Sequence, residues 1–334
     1  MTPYYEDATA KIYLGDVHDV LRSFDSESVD CCVTSPPYYG LRDYGVEDQI
    51  GLEDSPSEYI AKLVEVFREV RRLLRNDGTL WLNLGDSYSG SWGNQGRKST
   101  RGTQREINGE MIQPLDDGRY PNEETNTGKV PEGLKAKDLM GTPWRVAFAL
   151  QADGWYLRSD IIWSKPNPMP ESITDRPTKS HEYIFLMAKS QKYYYDAAAI
   201  AEKSINAGKT VHLKEKSLSR GQASGANVQA SGNGLKESIL VKDTKNKRTV
   251  WEVPTSPFPE AHFAVFPEGL IRPCVLAGCR PGGLVLDPFL GSGTTALVAR
   301  NLNCRCVGVE LNEKYVEIAK RRLSQSNLTF EENL

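Results

Sequence analysis

The chain has no apolar run approaching the roughly 20 residues that cross a bilayer, so no membrane-spanning helix is expected. Its N-terminus, MTPYYEDATAKIYLGD, has neither the basic segment nor the apolar segment of a secretory leader, and a cytoplasmic location is expected. Cysteine is scarce and unpaired in pattern. The six occur as Cys31-Cys32, Cys274 with Cys279, and Cys304 with Cys306, each among apolar neighbours and none at zinc-ligand spacing, so they read as small buried hydrophobes. The four histidines (His18, His181, His212 and His262) are dispersed with no HExxH pair, and no metal is expected. Excess charge is absent too: 41 Lys and Arg against 44 Asp and Glu leave −3. No internal repeat is present. What remains is an ordinary globular composition, 39% hydrophobic and 25% charged, over 334 residues, enough for two domains or one large one.

Along the chain, KIYLGDVHDVL and SVDCCVTSPPYYG read as two strands ending in turn residues. SPSEYIAKLVEVFREVRRLLRNDG opens with Ser-Pro, carries apolar residues at helical spacing from Ile60 to Leu74, and is expected to close at Asp77-Gly78. GTLWLNLGD, LRSDIIWSKPNP and HEYIFLMAKS read as strands, and TPWRVAFALQADGW and FPEGLIRPCVLAGC as helices, the first of them N-capped. The last segment alternates strand, glycine-rich turn, helix, strand and helix. Two stretches lack any period. Residues 90–137 are polar and glycine-rich, with Arg97, Lys98, Arg101 and Arg105, and read as a long loop. Residues 201–250 carry ten basic against four acidic side chains in an otherwise acidic protein, the balance a polyanion-facing surface needs.

Two motifs bear chemistry. Asp287-Pro288-Phe289-Leu290-Gly291-Ser292-Gly293-Thr294-Thr295 follows an apolar strand and precedes a helix, a context in which glycines let backbone approach a nucleotide-like ligand. The next strand ends in Glu310, where a carboxylate can accept both ribose hydroxyls. Gly291-x-Gly293-x-x-Ala296 fits a dinucleotide fingerprint as well, so the turn indicates an adenosine-containing cofactor without naming it. The second motif is Thr34-Ser35-Pro36-Pro37-Tyr38. Two prolines fix φ and remove two N–H donors, leaving carbonyl acceptors beside a hydroxyl and a ring. Such a pocket suits a planar ligand that presents an amino group, such as a nucleobase flipped from a duplex.

Together, TSPPY and DPFLGSGTT make the sequence resemble the β group of amino DNA methyltransferases, in which the catalytic motif precedes the cofactor motif by circular permutation. LGD at Asp16, DGTLWLNLGD, WSKPNPMPES, HFAVFPEGLI and VGVEL stand in that family's order, and only 90–137 and 201–250 fall outside it. The resemblance implies an α/β, Rossmann-like class I methyltransferase fold: a mostly parallel sheet with helices on both faces and a basic insertion for target recognition. Residues 1–200 would form the catalytic part, 201–250 the DNA-recognition insertion and 251–334 the cofactor-binding part of the same domain. S-adenosyl-L-methionine would be the cofactor, bound by Asp16, His262, Phe263, Pro267, Asp287, Phe289, Gly291, Ser292, Gly293, Thr294 and Glu310. Ser35, Pro36 and Pro37 would face the target amino group and Tyr38 would stack on the base. Double-stranded DNA is the implied partner, held by Lys242, Lys245, Lys247 and Arg248, and a cognate restriction endonuclease is compatible with the family.

Cytosine N4 and adenine N6 are both amino groups. In the resembled family serine at the first motif position goes with cytosine, so Ser35 favours N4, with adenine N6 as the alternative. Two other classes stay open at this level: a dinucleotide-dependent oxidoreductase, which leaves TSPPY unexplained, and a nucleic-acid-binding protein without catalysis. No cysteine is expected to act as a nucleophile.

Overall fold

A computed structural model describes residues 1–41, 46, 48–90, 105–107, 110–112, 130–131, 133–212, 228–229, 238–255 and 266–331. Among these, one sheet has nine strands: β1 (Tyr5–Glu6), β2 (Ala10–Leu14), β3 (Val29–Thr34), β4 (Leu74–Leu84), β5 (Tyr156–Ser164), β6 (His181–Ala188), β7 (Val250–Glu252), β8 (Leu284–Asp287) and β9 (Arg305–Glu310). In space they run β1, β2, β9, β8, β3, β4, β6, β5, β7. Neighbours from β2 to β4 are parallel, as are β5 and β7; β1 pairs antiparallel with β2, and β6 antiparallel with both β4 and β5. The sheet is mostly parallel, as the sequence predicts.

Helices α1 (Val17–Arg22), α2 (Pro56–Leu73) and α3 (Thr142–Ala152) cover one face, and α4 (Glu268–Gly278), α5 (Thr294–Asn301) and α6 (Glu313–Glu331) the other. Successive strand residues point to opposite faces, so a strand covered on both sides is mostly apolar and its polar residues need partners. In β3 all six residues are buried: Cys31 and Val33 join the core under α4 to α6, and Cys32 the core under α1 to α3. In β4, Trp81 faces the first core while Leu80 and Leu82 face the second. All six cysteines are buried free thiols.

Local chemistry explains where the sequence reading and the structure part. KIYLGDVHDVL is half strand and half helix: β2 stops at Leu14, and the Asp16 carboxylate accepts from His18 N (2.8 Å) and Asp19 N (3.3 Å), capping α1. Helix α2 starts as expected, with Ser55 accepting from Glu58 N and Pro56 in the first turn. It ends at Leu73 rather than Asp77-Gly78, because Leu74 turns extended (ψ 140°), buries its side chain and pairs with Val29. Helix α3 has no cap of its own: Gly141 precedes it at φ 66°, and Asp86, just past β4, accepts from Gly141 N and Thr142 N, both at 3.1 Å.

Most of the 90–137 loop, including Arg97, Lys98 and Arg101, lies outside the described residues; within it Arg105–Ile107 pairs antiparallel with Glu110–Ile112. In the 201–250 stretch, Glu202–Lys203 pairs with Thr244–Lys245, and Ser238–Val241 lies between Thr210–His212 and Val228–Gln229. The stretch then rejoins the main sheet through β7. At the far edge, buried Arg300 of α5 bonds Thr9 Oγ1 (2.8 Å), the Leu323 carbonyl of α6 (2.5 Å) and the Asp7 carboxylate, while Tyr4 donates to Glu317 of α6 (2.7 Å).

Gly278 ends α4 against the sheet, where a Cβ would sit 2.5 Å from Trp81 Nε1 and 2.7 Å from Thr79 Oγ1. Gly278→Ala is therefore expected to destabilise the fold by about 1–3 kcal/mol through overpacking, read as a lower urea midpoint at unchanged slope.

Candidate active site

In an open parallel sheet, ligands bind beyond the carboxyl ends of the strands where the chain departs in opposite directions from two neighbours. Here those neighbours are β8, whose chain continues to β9, and β3, whose chain continues to β4. A cleft of about 290 Å³ lies over them. The carboxyl ends of β2, β9, β8, β3 and β4 supply Asp16, Glu310, Phe289, Ser35 and Asn83 to its wall. Because β6 runs antiparallel, its first residues reach the same rim and add Glu182.

At the end of the cleft below β8 and β9, Glu310 accepts Gly291 N and Asn312 N, each at 2.8 Å. A carboxylate has about four acceptor sites, so these two bonds leave acceptor capacity for a ribose hydroxyl. Desolvation raises its pKa to about 7, with three backbone donors, of Asn312, Gly291 and Leu311, opposing the shift. Gly291 (φ 54°) and Gly293 (φ 83°) make the turn that glycine tolerates, and a Cβ on Gly293 would meet Ala319 of α6 at 2.7 Å. Arg322 of α6 holds the turn by donating to Ser292 O (2.7 Å) and Thr294 Oγ1 (3.0 Å). Gly15, Phe266, Phe289 and Tyr315 complete a lining of backbone, rings and carboxylates. These acceptors and faces fit an adenosine-bearing cation: Glu310 for the ribose, aromatic rings for flat apolar parts, Asp16 for positive charge.

At the other end stand Ser35, buried Pro36, Pro37 and Tyr38. Ser35 Oγ donates to Tyr38 Oη at 3.2 Å, and Tyr38 Oη donates to Glu182 Oε2 at 2.7 Å. Glu182 is ion-paired with Lys165, whose Nζ lies 4.2 Å from the Trp163 ring centroid. The Tyr38 ring rests on Gly85, where a Cβ would come within 2.5 Å of it. Burial holds the Tyr38 hydroxyl well above its ordinary pKa.

The structure thus brings Asp16, Ser35 to Tyr38, Phe289, Gly291, Ser292, Thr294 and Glu310 to one cleft. Other expected residues stand elsewhere. Asp287 lies beneath the cleft, fully buried, its carboxylate accepting from Thr34 Oγ1 and Thr295 Oγ1 (both 2.6 Å) and from Phe289 N (3.1 Å). Gly293 packs on α6, and Pro267 is a buried flank of α4, with its neighbour Phe266 in the wall instead. His262 and Phe263 lie outside the described residues. Asn83, Lys165 and Glu182 were not expected. The available signal was a polar residue inside each of two apolar strand runs, LWLNL and HEYIFLMA, and buried polar groups need partners. Of the four predicted DNA contacts, Lys245 and Arg248 pair with Glu202 (3.7 and 3.0 Å), Lys247 lies over Trp251, and Lys242 is exposed. Burial pushes the Cys31 thiol up to about 12, far from thiolate chemistry at neutral pH. Among the described residues no group of three or more His, Cys, Asp or Glu could hold a metal, and no helix is long and apolar enough to cross a membrane.

A nucleoside cleft on parallel strands, opening onto acceptors for an amino group, places the protein among Rossmann-like methyltransferases. The fold agrees with PvuII DNA methyltransferase (cytosine-N4-specific) at TM-score 0.61 and 19% identity, over 96% of this chain and 88% of that one. It also agrees with M1.HpyAVI solved with S-adenosylmethionine, at TM-score 0.51 and 17% identity, over 94% and 99%. The N6/N4 DNA methylase family model matches residues 29–321, and the chain belongs to that family. It is 49% identical to the Type II methyltransferase M.SmaI of Serratia marcescens, over 94% of this chain and 91% of that protein. M.Cfr9I of Citrobacter freundii, also a Type II methyltransferase, is 46% identical over 94% and 87%. The protein is an S-adenosylmethionine-dependent DNA methyltransferase acting on an amino group.

An ionised Glu310 keeps more acceptor capacity for the two hydroxyls of a ribose than the neutral acid does, so affinity for S-adenosylmethionine is expected to rise as pH increases through about 7 and to level off above it. Calorimetric titration from pH 5.5 to 8.5 checks this. Glu310→Gln should bind roughly 10- to 100-fold more weakly at pH 8 and lose this pH dependence.

Proposed function

We propose that the enzyme methylates N4 of a cytosine turned out of duplex DNA, at a specific site, as the modification partner of a restriction endonuclease. The observation that carries the base assignment is the serine at the head of the acceptor motif. Ser35 gives its one proton to Tyr38, so the lone pairs of Oγ are left to accept from a substrate amine. Pro36 has no N–H and offers only a carbonyl. An exocyclic amine conjugated with its ring is a poor nucleophile. Two acceptors on its protons favour a pyramidal nitrogen and aim its lone pair, so positioning and electrostatics supply the acceleration. When bound, S-adenosylmethionine supplies a methyl group on a sulfonium, which needs no further activation. The Tyr38 ring, fixed by its hydroxyl and by Gly85, offers the flipped base a stacking face. The relatives support the reading: two Type II methyltransferases near half identity, and a shared fold with an enzyme whose name specifies cytosine N4.

We assign target recognition to residues 201–250. Lys242 and Arg248 are exposed, and Lys245 and Lys247 flank them, a set suited to phosphates. Double-stranded DNA as substrate places the enzyme at the nucleoid, in the cytoplasm.

Incubation with S-adenosylmethionine and mixed-sequence DNA, followed by digestion to nucleosides and mass spectrometry, is expected to yield N4-methylcytosine. N6-methyladenine would overturn the base assignment. Ser35→Ala should lower turnover at least about 10²-fold while cofactor affinity stays within threefold. Replacing Lys242 and Arg248 by Ala should weaken DNA binding at all sequences and reduce the slope of log K against log salt by about 1 per lost phosphate contact, read by fluorescence anisotropy.

A further inference from the structure

Methyl transfer leaves the target nitrogen with a proton to lose. The N–C bond forms as the S–C bond breaks, sulfur keeps that electron pair, and the nitrogen becomes cationic until an N–H bond gives its electrons back. Neither the Ser35 hydroxyl nor the Pro36 carbonyl is a base at neutral pH. We propose that the Lys165–Glu182 pair is the proton sink of this reaction, reached from the substrate nitrogen through the hydroxyls of Ser35 and Tyr38. This deepens the function proposed above and rests on its amino-group substrate.

The hydrogen bonds have a direction. Asn83 Nδ2 donates to Glu182 Oε2 (3.2 Å) and to the Tyr183 carbonyl (3.0 Å), which fixes its amide with Oδ1 turned to Tyr38 Oη at 3.1 Å. Tyr38 has one proton, and the ionised acceptor at 2.7 Å outcompetes the neutral amide oxygen at 3.1 Å, so it goes to Glu182. Tyr38 Oη in turn accepts from Ser35 at 3.2 Å. With every donor used in one sense, the free lone pairs of Ser35 Oγ are the entrance to the chain and Glu182 is its exit. As the amine proton moves to Ser35 Oγ, the Ser35 proton moves to Tyr38 Oη and the Tyr38 proton to Glu182. Serine and tyrosine end unchanged, Glu182 ends protonated, and the methylated amine ends neutral. Burial keeps the Tyr38 hydroxyl protonated between turnovers, so it passes protons without becoming a phenolate.

Glu182 is also held for this task. Its side chain is 16% exposed and that of Lys165 18%, so the pair is mostly withdrawn from water yet borders the cleft. Lys165 faces it from beyond β5, Tyr38 from the turn after β3, and Lys179 and His181 from its own segment. Lys165 and Glu182 touch no reacting atom in this scheme and act through Tyr38.

The test is single-turnover methyl transfer to DNA between pH 6 and 9 by the wild type, Tyr38→Phe, Glu182→Gln and the double variant. Tyr38→Phe keeps the ring that rests on Gly85, so it reports on the hydroxyl alone if Glu182→Gln folds poorly. Each single variant is expected to be about 10²-fold slower at neutral pH, with S-adenosylmethionine and DNA affinities within threefold of wild type. The double variant should be no slower than the slower single one. Variant rates should climb with pH as hydroxide replaces the lost acceptor, narrowing the gap to wild type. A Tyr38→Phe enzyme with wild-type rate and pH profile overturns the relay, as does a double variant whose loss is the product of the single losses. The nucleoside formed by the wild type reports on the base assignment and the ranking of variants on the relay, so each can fail alone; no methylated base at all overturns both.

Discussion

One buried carboxylate joins the two halves of the chemistry. Asp287 ends the strand that leads into the cofactor turn, and Thr34 ends the strand that leads into the acceptor turn; the bond between them closes a separation of 253 residues. Thr295, in the first turn of α5, occupies the other carboxylate oxygen and also reaches the Val33 carbonyl at 3.4 Å. The register of β8 on β3, Leu286 opposite Cys32, sets both turns rising from the sheet at one level. A carboxylate out of water raises its own pKa, here to about 6, and three donors oppose that rise. The cleft therefore depends on the buried hydroxyls of Thr34 and Thr295, which lie beneath its lining.

From that joint the cleft divides by polarity. The cofactor end carries Asp16 and Glu310, suited to a cationic, hydroxyl-rich ligand, and the base end carries acceptors without N–H groups. Lys165 stands at the base end paired with Glu182, and outside the cleft Glu202 tempers the basic residues Lys245 and Arg248 by pairing with both. The antiparallel strand β6 matters here beyond topology, since a parallel strand in its place would bring its last residue to the rim instead of Glu182.

Much of this was legible in the sequence because unusual backbone chemistry leaves unusual letters. Paired prolines after an apolar strand, and glycines at positive φ before a helix, mark sites where backbone itself meets a ligand, and the acid at the end of the next strand completes the pattern. The strands were legible because both faces are covered and they read as continuous apolar runs. Asn83, Lys165 and Glu182 were not legible in this way. Each is an ordinary polar residue, Asn83 and Glu182 on two different strands and Lys165 just past the end of a third, and only the pairing of β6 between β4 and β5 brings them to Tyr38. The same limit applies to Asp86, whose capping of α3 spans 56 positions, and to Leu74, whose burial in the sheet outweighs one more helical turn. Asp287 reads as part of the ligand turn in sequence, and three-dimensional packing turns its side chain away from the cleft.

The clasp around Arg300 brings the opening strand of the chain onto its closing helix: Asp7 and Thr9 on one side, Leu323 on the other, with Tyr4 fastened to Glu317 nearby. Segments almost three hundred residues apart, at Asp7 and at Arg300, are thereby neighbours in space. Where the edge strand and a late helix adjoin in this way, the sheet itself does not dictate the order in which the motifs occur along a chain. Acceptor turn first and glycine turn second is one such order, and the opposite order could trace the same sheet and raise the same cleft.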